Sequence, residues 1–153
     1  MLACKKLYLD TSVFGGYFDH GFEHPTKALF EMIERNSDII LLSSLTLDEL
    51  NDAPTAVRDL VRQLTAERFR MVDETMAAVE LANCYINEKV VGRTSFADCL
   101  HIALATINEA DMLVSWNFKH IVNVTRVVGY NAVNEKFGYR KLEIFSPKQL
   151  FEK

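Results

Sequence analysis

The chain has 153 residues, 49% of them hydrophobic and 25% charged, which suits a single domain over 1–153 with one well-filled core. No apolar run approaches the ~20 residues of a membrane span and the start, Met1 to Lys6, has no signal-peptide core; a cytoplasmic protein with no membrane partner is expected. A net charge of −4 argues against a broad basic surface, so a bound nucleic acid would need local basic patches, a metal or a partner subunit to offset the acidity.

Lys6-Leu7-Tyr8-Leu9-Asp10 is a short apolar run ending in an acid, predicted as a buried strand, with Thr11-Ser12 as turn-forming hydroxyls after it. Pro25 to Arg35 is predicted helical, with Ala28, Leu29, Met32 and Ile33 on one face. Asp38 to Ser43 is a second strand covered on both sides, and Ser44 to Leu50 opens with hydroxyl caps into a short helix that carries Glu49. Pro54 to Glu67 follows as a helix, Phe69 to Val72 as an extended stretch, and Asp73 to Glu88 as a helix burying Ala78, Leu81, Ala82, Tyr85 and Ile86. Thr94-Ser95 caps a helix from Phe96 to Glu109, and Met112 to Trp116 is the next strand, broken at Asn117 to His120. A helix from about Asn123 to Phe137, a strand at Leu142 to Phe145 and a capped turn at Ser146 to Lys148 complete the pattern. Cys4, Cys84 and Cys99 form no C-x-x-C pair and no zinc-spaced cluster, which argues for reduced, packed thiols.

Strands alternating with helices predict right-handed crossovers and an α/β fold, a mostly parallel sheet with helices on both faces. In such sheets the functional crevice lies beyond the carboxyl ends of the strands, where Asp10 and Asn117 both fall. Asp98 sits one turn into its helix on a stripe continued by Ile102 and Ala105, and a carboxylate on a core-facing stripe is costly unless paired or bound to a cation. Hard divalent cations take oxygen ligands from separate elements, so Asp10, Glu49, Asp98 and Asn117 together suggest a metal-dependent site.

The Leu-Tyr-Leu-Asp10-Thr11-Ser12 start, the Ser44 to Leu50 helix with Glu49, the Phe96-Ala-Asp98-Cys-Leu-His-Ile-Ala helix and the Leu113-Val-Ser-Trp-Asn-Phe segment resemble the PIN domain family, in particular its VapC-type toxin branch. The ordered set covers nearly the whole chain. The resemblance implies a three-layer α/β/α sandwich, an endoribonuclease dependent on Mg²⁺ or Mn²⁺, frequent homodimerisation and a small antitoxin partner. Asp10, Glu49 and Asp98 match the acids that hold the metal, and Thr11 or Ser12 the hydroxyl that orients the first acid or a water. The fourth family position is commonly Asp and here is Asn117, which leaves the choice between one and two metal ions open. The implied reaction is hydrolysis of an RNA phosphodiester by water that the metal activates, with no protein nucleophile. Lys119 and His120 are placed to touch phosphate, Gly15 and Gly16 to admit a backbone, and Phe14 and Tyr17 to stack on a base. The apolar end around Phe145 and Phe151 is a candidate dimer contact.

Each residue also has a plainer role. Asp10 alone is equally a turn or cap residue, Glu49 alone a solvated helix acid, and Asp98 a partner for Arg93; Gly15-Gly16 alone is a turn, and Phe14, Tyr17 and Trp116 are core. His101 reads as a packed or hydrogen-bonded histidine. A second class is a catalytically weak RNA- or protein-binding module marked by Asn117; a phospho-acceptor receiver domain ranks last, since it would want an acidic pair after its first strand and a late lysine, whereas Lys5-Lys6-Leu7 opens the chain with bases.

Overall fold

A computed structural model describes residues 4–64 and 66–151. The expectation about the chain start at Met1 to Ala3 and residue 65 of the expected 54–67 helix lie outside them. The chain runs β1 (Lys6–Leu9), α1 (Thr11–Gly16), α2 (Glu23–Asn36), β2 (Ile39–Ser43), α3 (Ser44–Leu50), α4 (Thr55–Gln63), β3 (Phe69–Val72), α5 (Met76–Asn87), α6 (Phe96–Ile107), β4 (Met112–Val114), α7 (Val124–Lys136), β5 (Ile144–Phe145) and α8 (Pro147–Phe151). Short 3₁₀ turns at Ala66–Arg68 and Arg93–Ser95 lead into β3 and α6.

The five strands form one sheet in the order β3-β2-β1-β4-β5, and every pairing is parallel. Successive side chains along a strand point to opposite faces, and this splits the core in two. Tyr8, Leu41 and Leu113 face a layer built from α5, α6 and α7, whereas Leu7, Leu9, Ile40, Leu42 and Val114 face α1, α2, α4 and α8. The α/β/α sandwich is therefore present as expected. No helix of the described residues is long and apolar enough to cross a membrane.

The element boundaries differ from expectation in instructive ways. Thr11 to Gly16 is a helix rather than a turn, because Val13 and Phe14 are fully buried beneath it. Ser95 makes no side-chain capping bond, so α6 starts from a 3₁₀ turn and not from a hydroxyl cap. Helix α4 ends at Gln63, and α2 begins two residues before Pro25, which the first turn tolerates because its N–H would have no helical partner there. Strands β4 and β5 are shorter than their apolar runs. Phe151 is half-buried against the α2 layer, and Phe145 is half-buried at the end of β5.

Gly16 and Phe14 are packing residues rather than ligand contacts. A Cβ at Gly16 would lie 2.5 Å from Trp116 Nε1 and 3.0 Å from Thr26 Oγ1, and the indole itself donates to Thr26 Oγ1 at 2.9 Å. Trp116 also stacks on Phe22, with ring centroids 4.0 Å apart. Gly16→Ala is thus expected to cost about 1–3 kcal/mol through overpacking, seen as a lower thermal midpoint. An unchanged midpoint would show that the indole moves aside freely.

Candidate active site

Strands leave β1 toward β2 and leave β4 toward β5, so the chain direction across the sheet reverses between β1 and β4. This is the switch point at which open parallel sheets form a crevice beyond the strand ends. Asp10 emerges from β1 at this place, and Ser115, Trp116 and Asn117 emerge from β4.

Asp10 occupies the N-cap position of α1 but makes no capping bond with its side chain. Instead Oδ1 accepts from the Ser12 hydroxyl at 2.6 Å and Oδ2 from the Ser115 hydroxyl at 2.6 Å. Both hydroxyl oxygens then accept backbone N–H groups of the β4 exit, Ser12 from Trp116 at 2.9 Å and Ser115 from Asn117 at 2.9 Å. The two serines thereby fix the carboxylate and join two strand ends. Asp10 is only 5% exposed. Burial pushes its carboxyl pKa up; His101 and the Ser115 and Ser12 hydroxyls act downward, Asp98 adds to the rise, and the net shift is upward.

Glu49 rides on α3, whose N-cap Ser43 accepts the Thr46 N–H. Its Oε1 accepts from the Thr11 hydroxyl at 2.6 Å and meets His101 Nε2 at 2.7 Å. Burial alone would raise the Glu49 pKa, but the hydrogen bonds from His101 and Thr11 outweigh it and the net shift is downward. An ionised Glu49 only accepts, so Nε2 carries the proton that faces it, and Nδ1 lies 2.7 Å from the Tyr8 hydroxyl. Tyr8 in turn lies 2.8 Å from Ser43 Oγ, which closes a buried chain from β1 through α6 to α3.

Asp98, in the first turn of α6, accepts from Asn117 Nδ2 at 3.2 Å through Oδ1 and meets His120 Nδ1 at 3.1 Å through Oδ2. Asn117 Oδ1 accepts the His120 N–H at 2.9 Å, so the loop after β4 is folded around Asp98. His120 takes the place expected of Arg93 as a side-chain partner of Asp98, whereas Lys119 is exposed.

The structure therefore gathers Asp10, Asp98, Asn117 and His120 at one rim and links Glu49 to it through Thr11 and His101. Each carboxylate has its own hydrogen-bond partners, and among the described residues no three His, Cys, Asp or Glu side chains stand close enough together to hold an ion. Tyr8, Ser43, His101 and Ser115 belong to this network although their residue types drew attention elsewhere or not at all. The only local signal was polarity in apolar surroundings: His101 three residues after Asp98, and Ser115 between Val114 and Trp116.

The PIN domain family model matches residues 7–117, a span from β1 through the Asn117 loop. This chain belongs to the PIN domain family. The matched span contains Asp10, Glu49 and Asp98. The fold is that of solved VapC-containing structures. VapBC2 from Rickettsia felis, bound to a DNA fragment from its promoter, superposes with a TM-score of 0.57 at 16% identity, covering 92% of this chain and 98% of that one. VapC20 from Mycobacterium tuberculosis, a Sarcin-Ricin loop cleaving toxin, gives 0.56 at 15% identity, covering 90% and 98%. DNA-bound VapBC from Salmonella typhimurium gives 0.56 at 16%, covering 94% and 98%. No curated protein sequence matches the chain.

Proposed function

We propose that this chain is a Mg²⁺- or Mn²⁺-dependent endoribonuclease, the toxin of a type II toxin–antitoxin pair, acting in the cytoplasm as a homodimer with an antitoxin partner. The observation that carries the proposal is the buried carboxylate of Asp10 at the switch point. Its direct donors are two neutral hydroxyls, and the Asp98 charge beside it raises its pKa further. The shift stays upward even though His101 acts against it, and the oxygen donors around Asp10 fit a hard divalent cation better than a thiolate-seeking metal.

Asp10 and Asp98 would hold the ion, with the Asn117 amide oxygen and Glu49 Oε2 available to complete its surroundings, directly or through water. When bound, the cation supplies charge neutralisation at the phosphate and lowers the pKa of a water nucleophile. The chain's own residues set the stage for it. Ser12 and Ser115 keep Asp10 in one orientation, and Thr11 and His101 do the same for Glu49. His120, steadied by Asp98 through Nδ1, can donate from Nε2 to a phosphate oxygen when its ring carries both protons, and exposed Lys119 adds charge beside it.

The fold likeness to VapC20 and to the VapBC complexes supports an RNA substrate and an antitoxin. The test is cleavage of RNA by the purified chain. Breakage should appear with Mn²⁺ and vanish with EDTA, and cleavage indifferent to EDTA would refute the metal-dependent reading. A second reading, a PIN-like binding module with a weakened metal site, draws on Asn117, whose amide donates to Asp98 where an acid would bring charge. RNA binding with no cleavage at any Mn²⁺ concentration would favour it. Asn117→Asp replaces that donor by a second carboxylate, so it should lower metal-free stability and tighten Mn²⁺ binding, by about tenfold as read by calorimetry. Unchanged affinity would remove Asn117 from the site.

A further inference from the structure

An acidic chain that binds RNA must concentrate its positive charge somewhere, and one place stands out. A cavity of about 460 Å³ is lined by Ile86, Asn87, Lys89, Val91, Gly92, Arg93 and Arg126, with three cations and no carboxylate among them. The cations come from separate elements: Lys89 just past the end of α5, Arg93 from the 3₁₀ turn entering α6, and Arg126 from the first turn of α7. Among the described residues none of the three forms an ion pair. The acid nearest in sequence, Glu88, is bound to Lys136 at 2.8 Å instead. A lysine behind a helix C-terminus is ordinary by itself, since it complements the helix dipole. Three unpaired cations converging on one concave surface repel one another, and an anion relieves that repulsion.

The cavity adjoins the Asp98 rim. Arg93 opens the 3₁₀ turn that leads into α6, five residues before Asp98, so the two Cα atoms lie at most roughly 18 Å apart. On the other side Tyr130 of α7 donates to the His120 carbonyl at 2.6 Å, and its hydroxyl feels both the Asp98 carboxylate and the Arg126 guanidinium. Arg126 is held in place by donating through Nη1 to the Val90 carbonyl, which leaves its other N–H groups for a ligand. A Cβ at Gly92 would meet nothing within 4 Å, so the wall between Lys89 and Arg93 is open to a bulky group.

We infer that Lys89, Arg93 and Arg126 form a phosphodiester-binding pocket that holds the single-stranded RNA backbone on one side of the scissile phosphate. This rests on the endoribonuclease reading but is tested apart from it. A short fluorescein-labelled oligouridylate, with EDTA present to prevent cleavage, is titrated with wild type and with the Lys89→Gln/Arg93→Gln double variant over a salt series. Single-strand contacts contribute about 0.7 each to the slope of log K against log salt, so the variant's slope should be shallower by roughly 1.4 and its affinity roughly 20-fold lower near 0.1 M salt. Mn²⁺ affinity by calorimetry should not change. Arg126→Gln, checked by circular dichroism because it also releases the Val90 carbonyl, should give a further shallower slope. An unchanged slope and affinity in a folded double variant overturns the pocket even if wild type cleaves RNA with Mn²⁺. Failure of wild type to cleave instead refutes the nuclease reading and leaves the slope comparison intact. If a polyglutamate peptide loses affinity in the double variant and the oligouridylate does not, the pocket serves an acidic protein segment and the RNA assignment is wrong.

Discussion

Asp98→Ala is expected to abolish RNA cleavage, at least about 100-fold, with little change in stability. Asp98 is a quarter exposed, and the groups it would leave behind, Asn117 Nδ2 and His120 Nδ1, are partly solvated. Water can replace the lost acceptor at both. Removing the charge also relieves its repulsion of Asp10, so gain and loss nearly cancel, and the net change should stay within about 1 kcal/mol. Activity and thermal midpoint measured on the same preparation separate the roles. A midpoint that falls steeply would make Asp98 a structural residue, and Asp98→Asn, which preserves shape, would then retain stability without restoring cleavage.

Asp10→Asn is expected to remove Mn²⁺ binding and cleavage together while stabilising the fold at neutral pH, on the order of 1 kcal/mol. The direction follows from linkage. The folded pKa of Asp10 lies above its unfolded value, so the native state holds the proton more tightly and stability falls as pH rises through the raised pKa. The ionised side chain is therefore a cost at neutral pH, which the amide lacks, and the advantage of the variant should shrink on acidification. Glu49 behaves oppositely. Its pKa is lowered, so the stability it contributes is present above the ordinary carboxylate range and is lost as pH falls. Urea midpoints for wild type and variant across acid to neutral pH give the difference curve directly. A variant less stable than wild type at pH 7 would mean that the serine clamp needs a carboxylate and that burial is not the dominant influence.

Much of the architecture could be read from local pattern. Runs such as Leu7-Tyr8-Leu9 and Ile39 to Leu42 are too short for helices and too apolar for loops, and each became a parallel strand. The acid that ends the first run and the polar break after Trp116 reached the sheet rim because a strand's last residue is placed by the strand itself. Local cues misled where packing overruled them. Two glycines made Gly15-Gly16 look like a turn, yet Gly16 is small because Trp116 presses against it. The Ser95 hydroxyl suggested a cap, yet the 3₁₀ turn before α6 makes one unnecessary.

What the sequence determined by itself was the order of the strands and of the longer helices and the presence of carboxylates at their ends, because periodicity and chain termination act over a few neighbouring residues; the short helices Thr11–Gly16 and Pro147–Phe151 were not among them. Only the tertiary structure decided which partner each carboxylate receives. Ser115 meets Asp10 across 105 positions, His101 meets Glu49 across 52 and Tyr8 across 93. Contacts of that range depend on the strand order and the crossovers. Those reflect the burial of two whole sheet faces at once, which no local stretch of residues encodes.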